Sequence, residues 1–285
     1  MDMSTDATEA LPGEVAFCRV KECRHGRLAY NVNDLYVGRS LDLYGEYNEG
    51  RNQLFGKLLR VGDVAIDVGA FVGAHTVFLA QKVGDEGAVV AFEPQRLGFQ
   101  MLCASVSLNS LVNVYALHAA AGARSGQVVV PPMDYRKLNN FAGLSIGTAR
   151  EGESVPLSAI DVLDLQRCRL IKVSAEGMEV DVLRGAADTI RRHKPVLFVE
   201  NYLKERSRAL IEHMMGLGYR LYWSLEPMFN PDNFAGRKDN VFADVVSVGM
   251  LGLPPGDPMV VEGRQIQSAD ESWHGQVAVR IHDPG

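Results

Sequence analysis

The clearest chemical pattern in the chain is a glycine turn between two short apolar runs. Gly69 and Gly73 follow the first run, and Glu93 ends the second. Glycine lets a backbone approach a ligand and adopt positive φ, and a helix that starts after the turn offers free N–H groups to a carboxylate or phosphate. An acid at the end of the second run can accept two hydrogen bonds from a ribose. The pattern therefore indicates a site for an adenosine-bearing ligand.

The spacing of the glycines distinguishes between the classes of ligand that such a loop could bind. A dinucleotide site would read GxGxxG, whereas Asp67, Gly69 and Gly73 read DxGxxxG. A phosphate-binding NTPase loop would continue with GK[ST], whereas Ala74 and His75 follow here. We therefore exclude the NTPase loop and keep an NAD-dependent enzyme only as a minor alternative.

The residues around the loop predict one βαβ unit. Val64–Val68 is short and apolar enough for a buried strand, residues 74–84 follow a helical period, and Ala88–Phe92 forms a second apolar run. Strand, glycine turn, helix, strand and acid in this order place a ligand loop at the first crossing of an α/β sheet.

With Thr76 and Pro94 added, the pattern reads DxGxxxGxxT and a strand that ends in EP, which resembles the S-adenosylmethionine loop of class I methyltransferases. Several further stretches resemble the FkbM family of methyltransferases. In chain order they are GEYNEGRNQLF, NNFAGLSI, VPLSAIDVL, IKVSAEGMEVDVLRGA, VLFVEN and LGYRLYW. The resemblance covers about residues 40 to 250 and implies S-adenosyl-L-methionine as the cofactor.

The resemblance implies an α/β fold of the Rossmann-like class I methyltransferase type, with a mostly parallel seven-stranded sheet, an antiparallel closing strand and helices on both faces. We expect the methyltransferase domain over residues 46–253, an N-terminal extension with a disordered start and short β segments over residues 1–45, and a C-terminal tail over residues 254–285. Alternating runs in residues 14–45 predict one or two β-hairpins, and residues 46–60 predict a helix.

Cofactor contacts are expected in the glycine loop and at the tips of the neighbouring strands. The residues in this set are Asp67, Gly69, Ala70, Phe71, Gly73, Thr76, Glu93, Pro94 and Ala120. Ala120 ends a predicted third strand, residues 113–120, whose small residues suit an adenine ring. The resemblance also places the segment that carries Glu46 beside the methionine end of the cofactor, whereas a solvated first helical turn is the alternative.

Three candidate catalytic residues, Ser174, Glu176 and Glu200, follow the predicted fourth and fifth strands. Ligands of open α/β sheets lie at such strand ends, and a base helps to deprotonate a weakly acidic hydroxyl. Relatives typically read KIDVEG where this chain reads KVSAEG, so Ser174 replaces the usual acid, and Ser224 stands where close relatives have a histidine. The alternative roles are a helix-turn acid for Glu176, whose predicted helix spans residues 176–187, and a strand-end cap for Glu200.

Candidate substrate residues lie in a long Asn- and Gly-rich loop and after the fifth strand. They are Asn139, Asn140 and Asn201. Long loops in compact domains tend to carry function, and the family resemblance implies a part for this loop in substrate binding. Capping of their own turns is the alternative for such residues.

The amino-acid composition restricts the class of protein further. Hydrophobic residues make up 47% and charged residues 22%, as in a globular soluble protein, and the net charge of −6 argues against general attraction to nucleic acid or anionic membranes. The N-terminus does not resemble a signal peptide, and the four cysteines lack a CxxC pair, which favours reduced thiols in a cytoplasmic protein without a metal site. A small-molecule or sugar acceptor is the expected partner, and a homodimer stays open because the tail could add its QVAVRI strand to this chain or to a neighbour.

Two functions remain open. The first is an S-adenosylmethionine-dependent methyltransferase that O-methylates a hydroxyl of a sugar or small natural product. The second is a cofactor-binding protein that has lost methyl transfer, because Ser174 removes a proton acceptor. Restoring the acid with Ser174→Asp separates the two.

Overall fold

The computed structural model describes residues 16–147, 149–273 and 280–282. In chain order its strands are β1 (Cys18–Cys23), β2 (Gly26–Asn31), β3 (Val64–Val68), β4 (Ala88–Phe92), β5 (Val114–Leu117), β6 (Ala120–Ala121), β7 (Gly126–Val130), β8 (Glu153–Ser158), β9 (Leu170–Val173), β10 (Val196–Glu200), β11 (Arg220–Pro227), β12 (Val246–Leu253), β13 (Val260–Glu262), β14 (Gln265–Ile266) and β15 (Arg280–His282). Its α-helices are α1 (Val37–Tyr44), α2 (Glu49–Leu58), α3 (Ala74–Val83), α4 (Arg96–Leu108), α5 (Glu179–Arg184), α6 (Ala187–His193) and α7 (Lys204–Gly216).

The largest sheet has the strand order β14-β11-β12-β10-β9-β3-β4-β5. The five strands from β10 to β5 run parallel, whereas β12, β11 and β14 alternate in direction beyond β10. The predicted α/β fold with a mostly parallel sheet and an antiparallel closing strand is thus confirmed. The expected strand number was too low, because Gln265–Ile266 pairs with β11 and adds an eighth strand at the edge.

The order of the parallel strands creates a crevice at the centre of the sheet. The first parallel strand of the chain, β3, has β4 on one side and β9 on the other. The chain therefore extends the sheet from β3 through β4 to β5 on one side, and later crosses back to β9 on the other side of β3. At such a switch point the loops at the carboxyl ends of the strands diverge and leave room for a ligand.

Two apolar cores cover the two faces of the sheet. Ile66 of β3 lies in one core with residues of α5, α6 and α7, whereas its neighbour Ala65 lies in the other with residues of α2 and α3. This alternation follows from the period of two along a strand and confirms that helices pack on both faces. None of the helices in the described part of the chain is both long and apolar enough to span a membrane.

Several local predictions require correction. Residues 18–31 form one β-hairpin, but the next alternating run is helix α1, because Val37, Leu41 and Tyr44 recur at helical spacing on its buried side. Helix α2 starts at Glu49, since Asn48 adopts a left-handed conformation with φ 45°. The helix predicted from residue 176 starts at Glu179 and is divided into α5 and α6.

The predicted third strand also ends earlier than expected. Strand β5 stops at Leu117, and Ala120 belongs to β6, which joins a separate small sheet with β8 and β7. The predicted disordered start, residues 1–13, lies outside the described residues, and so does most of the tail strand QVAVRI; its end belongs to β15, which pairs with β13.

Candidate functional site

A cavity lies at the carboxyl ends of β3, β4 and β9, with about 870 Å³ of empty space that includes the solvent at its opening. Nine of the residues predicted from the sequence line it: Gly69, Ala70, Phe71, Glu93, Pro94, Ala120, Ser174, Glu176 and Glu200. The structure thus brings the glycine loop, the acid after β4 and the candidate catalytic residues into one site.

The glycine loop is shaped by its own backbone contacts. Gly69 has φ 72°, and a Cβ there would lie 2.0 Å from the Ser174 carbonyl oxygen. The N–H groups of Gly69 and Ala70 both donate to the Phe92 carbonyl oxygen at 3.0 Å. Phe71 follows with φ 48°, an uncommon conformation for a bulky residue. Glycine is therefore required at position 69 by the turn and by the neighbouring backbone of Ser174.

The Glu93 carboxylate is fixed by the loop that it faces. Its Oε2 accepts the Phe71 N–H at 2.6 Å, and its Oε1 accepts the Gln95 N–H at 2.8 Å. Burial raises the pKa of Glu93 to about 7, although these two backbone hydrogen bonds act to lower it. Each carboxylate oxygen retains a second lone pair, so the group can accept hydrogen bonds from two neighbouring hydroxyls.

Three other predicted cofactor residues support the loop from outside the cavity. Asp67 is fully buried and lies 2.8 Å from Lys172 Nζ through its Oδ1. Thr76 Oγ1–H donates to the other oxygen of Asp67 at 2.7 Å. Gly73 has φ 86° at the start of α3, where a Cβ would lie 2.9 Å from Leu102. These residues hold the loop in place, and they do not line the cavity.

Glu46 does not line the cavity, and its carboxylate is engaged by other groups of the protein. Its carboxylate accepts hydrogen bonds from Arg24 Nε at 2.7 Å, Asn230 Nδ2 at 2.8 Å and the Phe234 N–H at 2.8 Å. The acid therefore fastens the irregular segment after β11 to the hairpin region. We do not assign it to the cofactor, in contrast to the expectation from the resemblance.

The three asparagines predicted to bind substrate have separate environments. Asn201 is buried, and its Nδ2 donates to Ser207 Oγ at 3.0 Å. Asn139 and Asn140 each accept a nearby backbone N–H, the latter from Gly143 at 3.0 Å, as turn-capping residues do. Asn140 also lines a second cavity, and it is the one of the three that faces a possible acceptor.

The second cavity adjoins the first and has about 920 Å³ of empty space, which includes the solvent at its opening. Residues common to both are Tyr47, Ala142, Glu176 and Glu200. Glu200 Oε1 accepts a hydrogen bond from Arg51 Nη1 at 2.5 Å. Burial raises the pKa of Glu176 to about 8, with further contributions from the charges of Glu200 and Glu179. The two acids therefore stand at the junction of the cavities in different states, one ion-paired and one protonated at neutral pH.

Sequence reasoning missed Arg51, His75 and Lys172, which line the first cavity. A signal for Arg51 was present, since residues 51, 54, 55 and 58 share the buried face of α2. A charged residue on an apolar helical face has either a buried partner or a ligand.

The FkbM methyltransferase domain profile matches residues 67–221, over half of the chain. The chain belongs to the FkbM methyltransferase family. Several solved methyltransferases are similar to this FkbM chain at low identity. An FkbM methyltransferase from Methylobacillus flagellatus KT is 19% identical with a TM-score of 0.46, and the match covers 69% of this chain and 45% of that one. This chain thus spans less than half the length of that relative.

Two further solved structures are also similar to this chain. A putative rRNA-methylase from Clostridium thermocellum is 11% identical with a TM-score of 0.44, covering 73% of this chain and 96% of that one. Trm5b from Pyrococcus abyssi is 13% identical with a TM-score of 0.46, covering 85% and 57%. The comparison with curated proteins gives no match.

The cofactor of the FkbM family is S-adenosyl-L-methionine, and the first cavity fits it. The fixed Glu93 carboxylate suits the two ribose hydroxyls, and Pro94 and Ala120 provide small apolar walls for an adenine. Gly69 adds backbone without a side chain to the lining of the cavity.

Proposed function

We propose that this FkbM chain transfers the methyl group of S-adenosylmethionine to a hydroxyl of a sugar or a small natural product. The observation that carries the proposal is the junction of the two cavities at Glu176 and Glu200. One cavity suits the cofactor, and the other is open for an acceptor. Carboxyl groups at their junction are placed where a hydroxyl proton has to be removed.

The lining of the second cavity supports an uncharged, hydroxylated acceptor. Tyr36, Tyr202 and Trp273 provide aromatic surface, and Asn140 and Ser247 provide hydrogen-bonding groups. Among the described residues that line it, none is lysine, arginine or histidine. An acceptor with a phosphate or carboxylate would find no cation to pair with in the described lining of this cavity, so we do not favour one.

The protein's part in the reaction is to position the acceptor and to take its proton. S-adenosylmethionine, when bound, supplies a methyl group already activated on a sulfonium. The chain then has to hold the acceptor oxygen in line with that methyl. Glu200, ion-paired with Arg51, and Glu176, with its raised pKa, are the two available bases.

Binding and mass measurements test the proposal. Calorimetry should detect S-adenosylhomocysteine and not NAD, and incubation with S-adenosylmethionine and hydroxylated acceptors should produce a mass gain of one methyl group. Preference for NAD would overturn the assignment of the cofactor, and an acceptor methylated only on nitrogen or carbon would overturn O-methylation.

The second candidate is a cofactor-binding protein that has lost methyl transfer. It is favoured by Ser174 at the end of β9 and by the state of the two remaining acids, because Arg51 engages Glu200 and Glu176 holds a proton at neutral pH. If no acceptor is methylated by the natural chain but Ser174→Asp is active, this candidate is the correct one.

A further inference from the structure

Arg51 is a buried cation with two N–H groups that lack an acceptor. The residue is 0% exposed and lines the first cavity. Its Nη1 donates to Glu200 Oε1 at 2.5 Å, whereas Nε and Nη2 are shielded from solvent and have no hydrogen-bond partner among the described residues. A buried donor without an acceptor costs free energy, so these two groups are arranged for an acceptor from outside the chain.

The neighbours of Arg51 fix the guanidinium without satisfying it. The Phe198 ring lies 4.7 Å from Cζ and offers a cation–π contact, which holds the plane of the group. Glu226 helps to keep Arg51 charged, but its Oε1 accepts a hydrogen bond from Ser224. A planar pair of free N–H groups matches the paired oxygens of a carboxylate or a phosphate, and the amino-acid end of S-adenosylmethionine carries a carboxylate.

His75 lies near Arg51 in the same cavity wall and is neutral. Burial, followed by the positive charge of Arg51, lowers the pKa of His75 well below its ordinary value. Its Nδ1 lies 2.8 Å from Asn52 Oδ1, and Asn52 Nδ2 donates to Glu49 at 3.4 Å, which orients the amide oxygen toward the ring. Nδ1 therefore carries the ring proton. Nε2, buried and without a partner in the described structure, has a lone pair for a donor.

A guanidinium with free N–H groups beside an unprotonated imidazole nitrogen complements an α-amino acid. We propose that Arg51 binds the α-carboxylate, and His75 Nε2 the α-ammonium, of the methionine half of S-adenosylmethionine. The assignment rests on the proposed function, since it places the cofactor in this cavity. Glu93 then binds the ribose, whereas Arg51 and His75 bind the amino-acid half of the same ligand.

Ligands that lack parts of the amino acid test the assignment by calorimetry. S-adenosylhomocysteine has both groups, its decarboxylated form keeps only the amine, and 5′-methylthioadenosine has neither. We expect the natural chain to bind S-adenosylhomocysteine about 10- to 100-fold more tightly than the decarboxylated ligand, the range of hydrogen bonds to charged groups.

Variants of Arg51 and His75 test whether these residues bind the amino-acid half of the ligand. Arg51→Met combined with Glu200→Gln avoids an uncompensated buried acid, and Glu200→Gln alone is the matched control. Relative to that control, the double variant should lose about 10- to 100-fold in affinity for S-adenosylhomocysteine and keep its affinity for 5′-methylthioadenosine within about threefold. His75→Phe should weaken the decarboxylated ligand but not 5′-methylthioadenosine. If the double variant does not fold, Arg51→Lys replaces it and should show a smaller loss confined to the same ligand.

The outcomes separate this inference from the proposed function. If the natural chain binds neither S-adenosylhomocysteine nor 5′-methylthioadenosine, the proposed function fails and the inference fails with it. If it binds both equally, or if the Arg51 variants lose affinity for both ligands to the same degree, only the assignment of Arg51 and His75 is wrong.

Discussion

Lys172 Nζ lies 2.8 Å from Asp67 Oδ1, and their side chains are only 3% and 0% exposed. The pair connects β9 to β3 where the glycine loop begins, and Lys172 Nζ also donates to the Gly69 carbonyl oxygen at 3.0 Å. Thr76 engages the other oxygen of Asp67. The aspartate of the DxG pattern therefore acts by holding the loop, and its charge is balanced inside the protein.

Lys172→Met should lower the free energy of unfolding by about 3–5 kcal/mol, because it leaves the Asp67 carboxylate buried without a counter-ion. Urea denaturation of the purified protein measures the change. Arg191→Met is the matched control, since Arg191 pairs with Asp188 at an exposed site and should change stability by less than about 1 kcal/mol. Equal stability of the two variants would show that the buried pair contributes nothing.

Gly69→Ala should destabilise the protein by at least about 1–2 kcal/mol, the cost of a left-handed conformation for an alanine, and should weaken binding of S-adenosylhomocysteine. The added Cβ would lie 2.0 Å from the Ser174 carbonyl oxygen, so the loop has to shift. Gly126→Ala is the control, because a Cβ there would meet no atom of the described residues within 4 Å. Thermal unfolding and calorimetry of both variants check the expectation, and indistinguishable results would contradict it.

The sequence predicted the centre of this fold to the residue. Val64–Val68 and Ala88–Phe92 were predicted and observed with the same bounds, because parallel strands covered on both faces are continuous apolar runs. Gly69 and Glu93 mark where those runs end, and both line the cavity. For these two strands, the apolar composition of the sequence agrees with their buried position in the fold.

The features of the site that the sequence did not predict depend on residues that are far apart in the chain. Arg51 was not predicted at the site, because the helical spacing shows only that it faces the core, whereas its ion-pair partner, Glu200, is 149 residues further along. The hydrogen bonds of Glu46 were not predicted for a similar reason, since its donors Asn230 and Phe234 come from the irregular segment after β11. Local patterns carry no information about such pairs. Helix α1 was missed although Val37, Leu41 and Tyr44 have helical spacing, because the same stretch also alternates.

The affinity for S-adenosylhomocysteine should rise as the pH rises from about 5.5 to 7.5. Burial raises the pKa of Glu93 to about 7, so the carboxyl is mostly protonated below that pH, and the ionised form is the stronger hydrogen-bond acceptor for the ribose hydroxyls. Below pH 7 each unit should cost up to about tenfold in affinity. Isothermal titration calorimetry over this range gives the profile.

Stability should show the opposite trend from the same group. The folded-state pKa of Glu93 lies above its ordinary value of 4.5, so the folded protein retains a proton that the unfolded chain releases, and this contribution is lost as the pH rises from about 4.5 through 7. Lys172, Asp67 and Tyr135 are the charged or titratable groups that interact with Glu93 among the described residues.

Glu93→Gln should flatten the dependence of the S-adenosylhomocysteine affinity on pH. If the profile persists in that variant, another group is responsible.

The acids at the junction of the cavities predict a pH-dependent rate. The pKa of Glu176 is raised to about 8 by burial, by Glu200 and by Glu179. Only about one-tenth of the free protein then has an ionised Glu176 at pH 7. The positive charge of the bound cofactor favours the ionised form and should lower this pKa, so kcat should level off at a lower pH than kcat/KM for the cofactor.

With an acceptor in hand, Glu176→Gln should lower kcat by about 10²-fold and remove the rise of kcat/KM toward pH 8, because it keeps the shape of the side chain without the base. Ser174→Asp should raise turnover by adding an acid at the end of β9, and Ser174→Asn is its uncharged control. Methylated product is quantified by mass spectrometry between pH 6 and 9. If Glu176→Gln keeps the natural rate and profile while Glu200→Gln does not, Glu200 is the base; if both retain them, positioning of the acceptor suffices. If Ser174→Asp and Ser174→Asn behave alike, the missing acid does not limit the reaction.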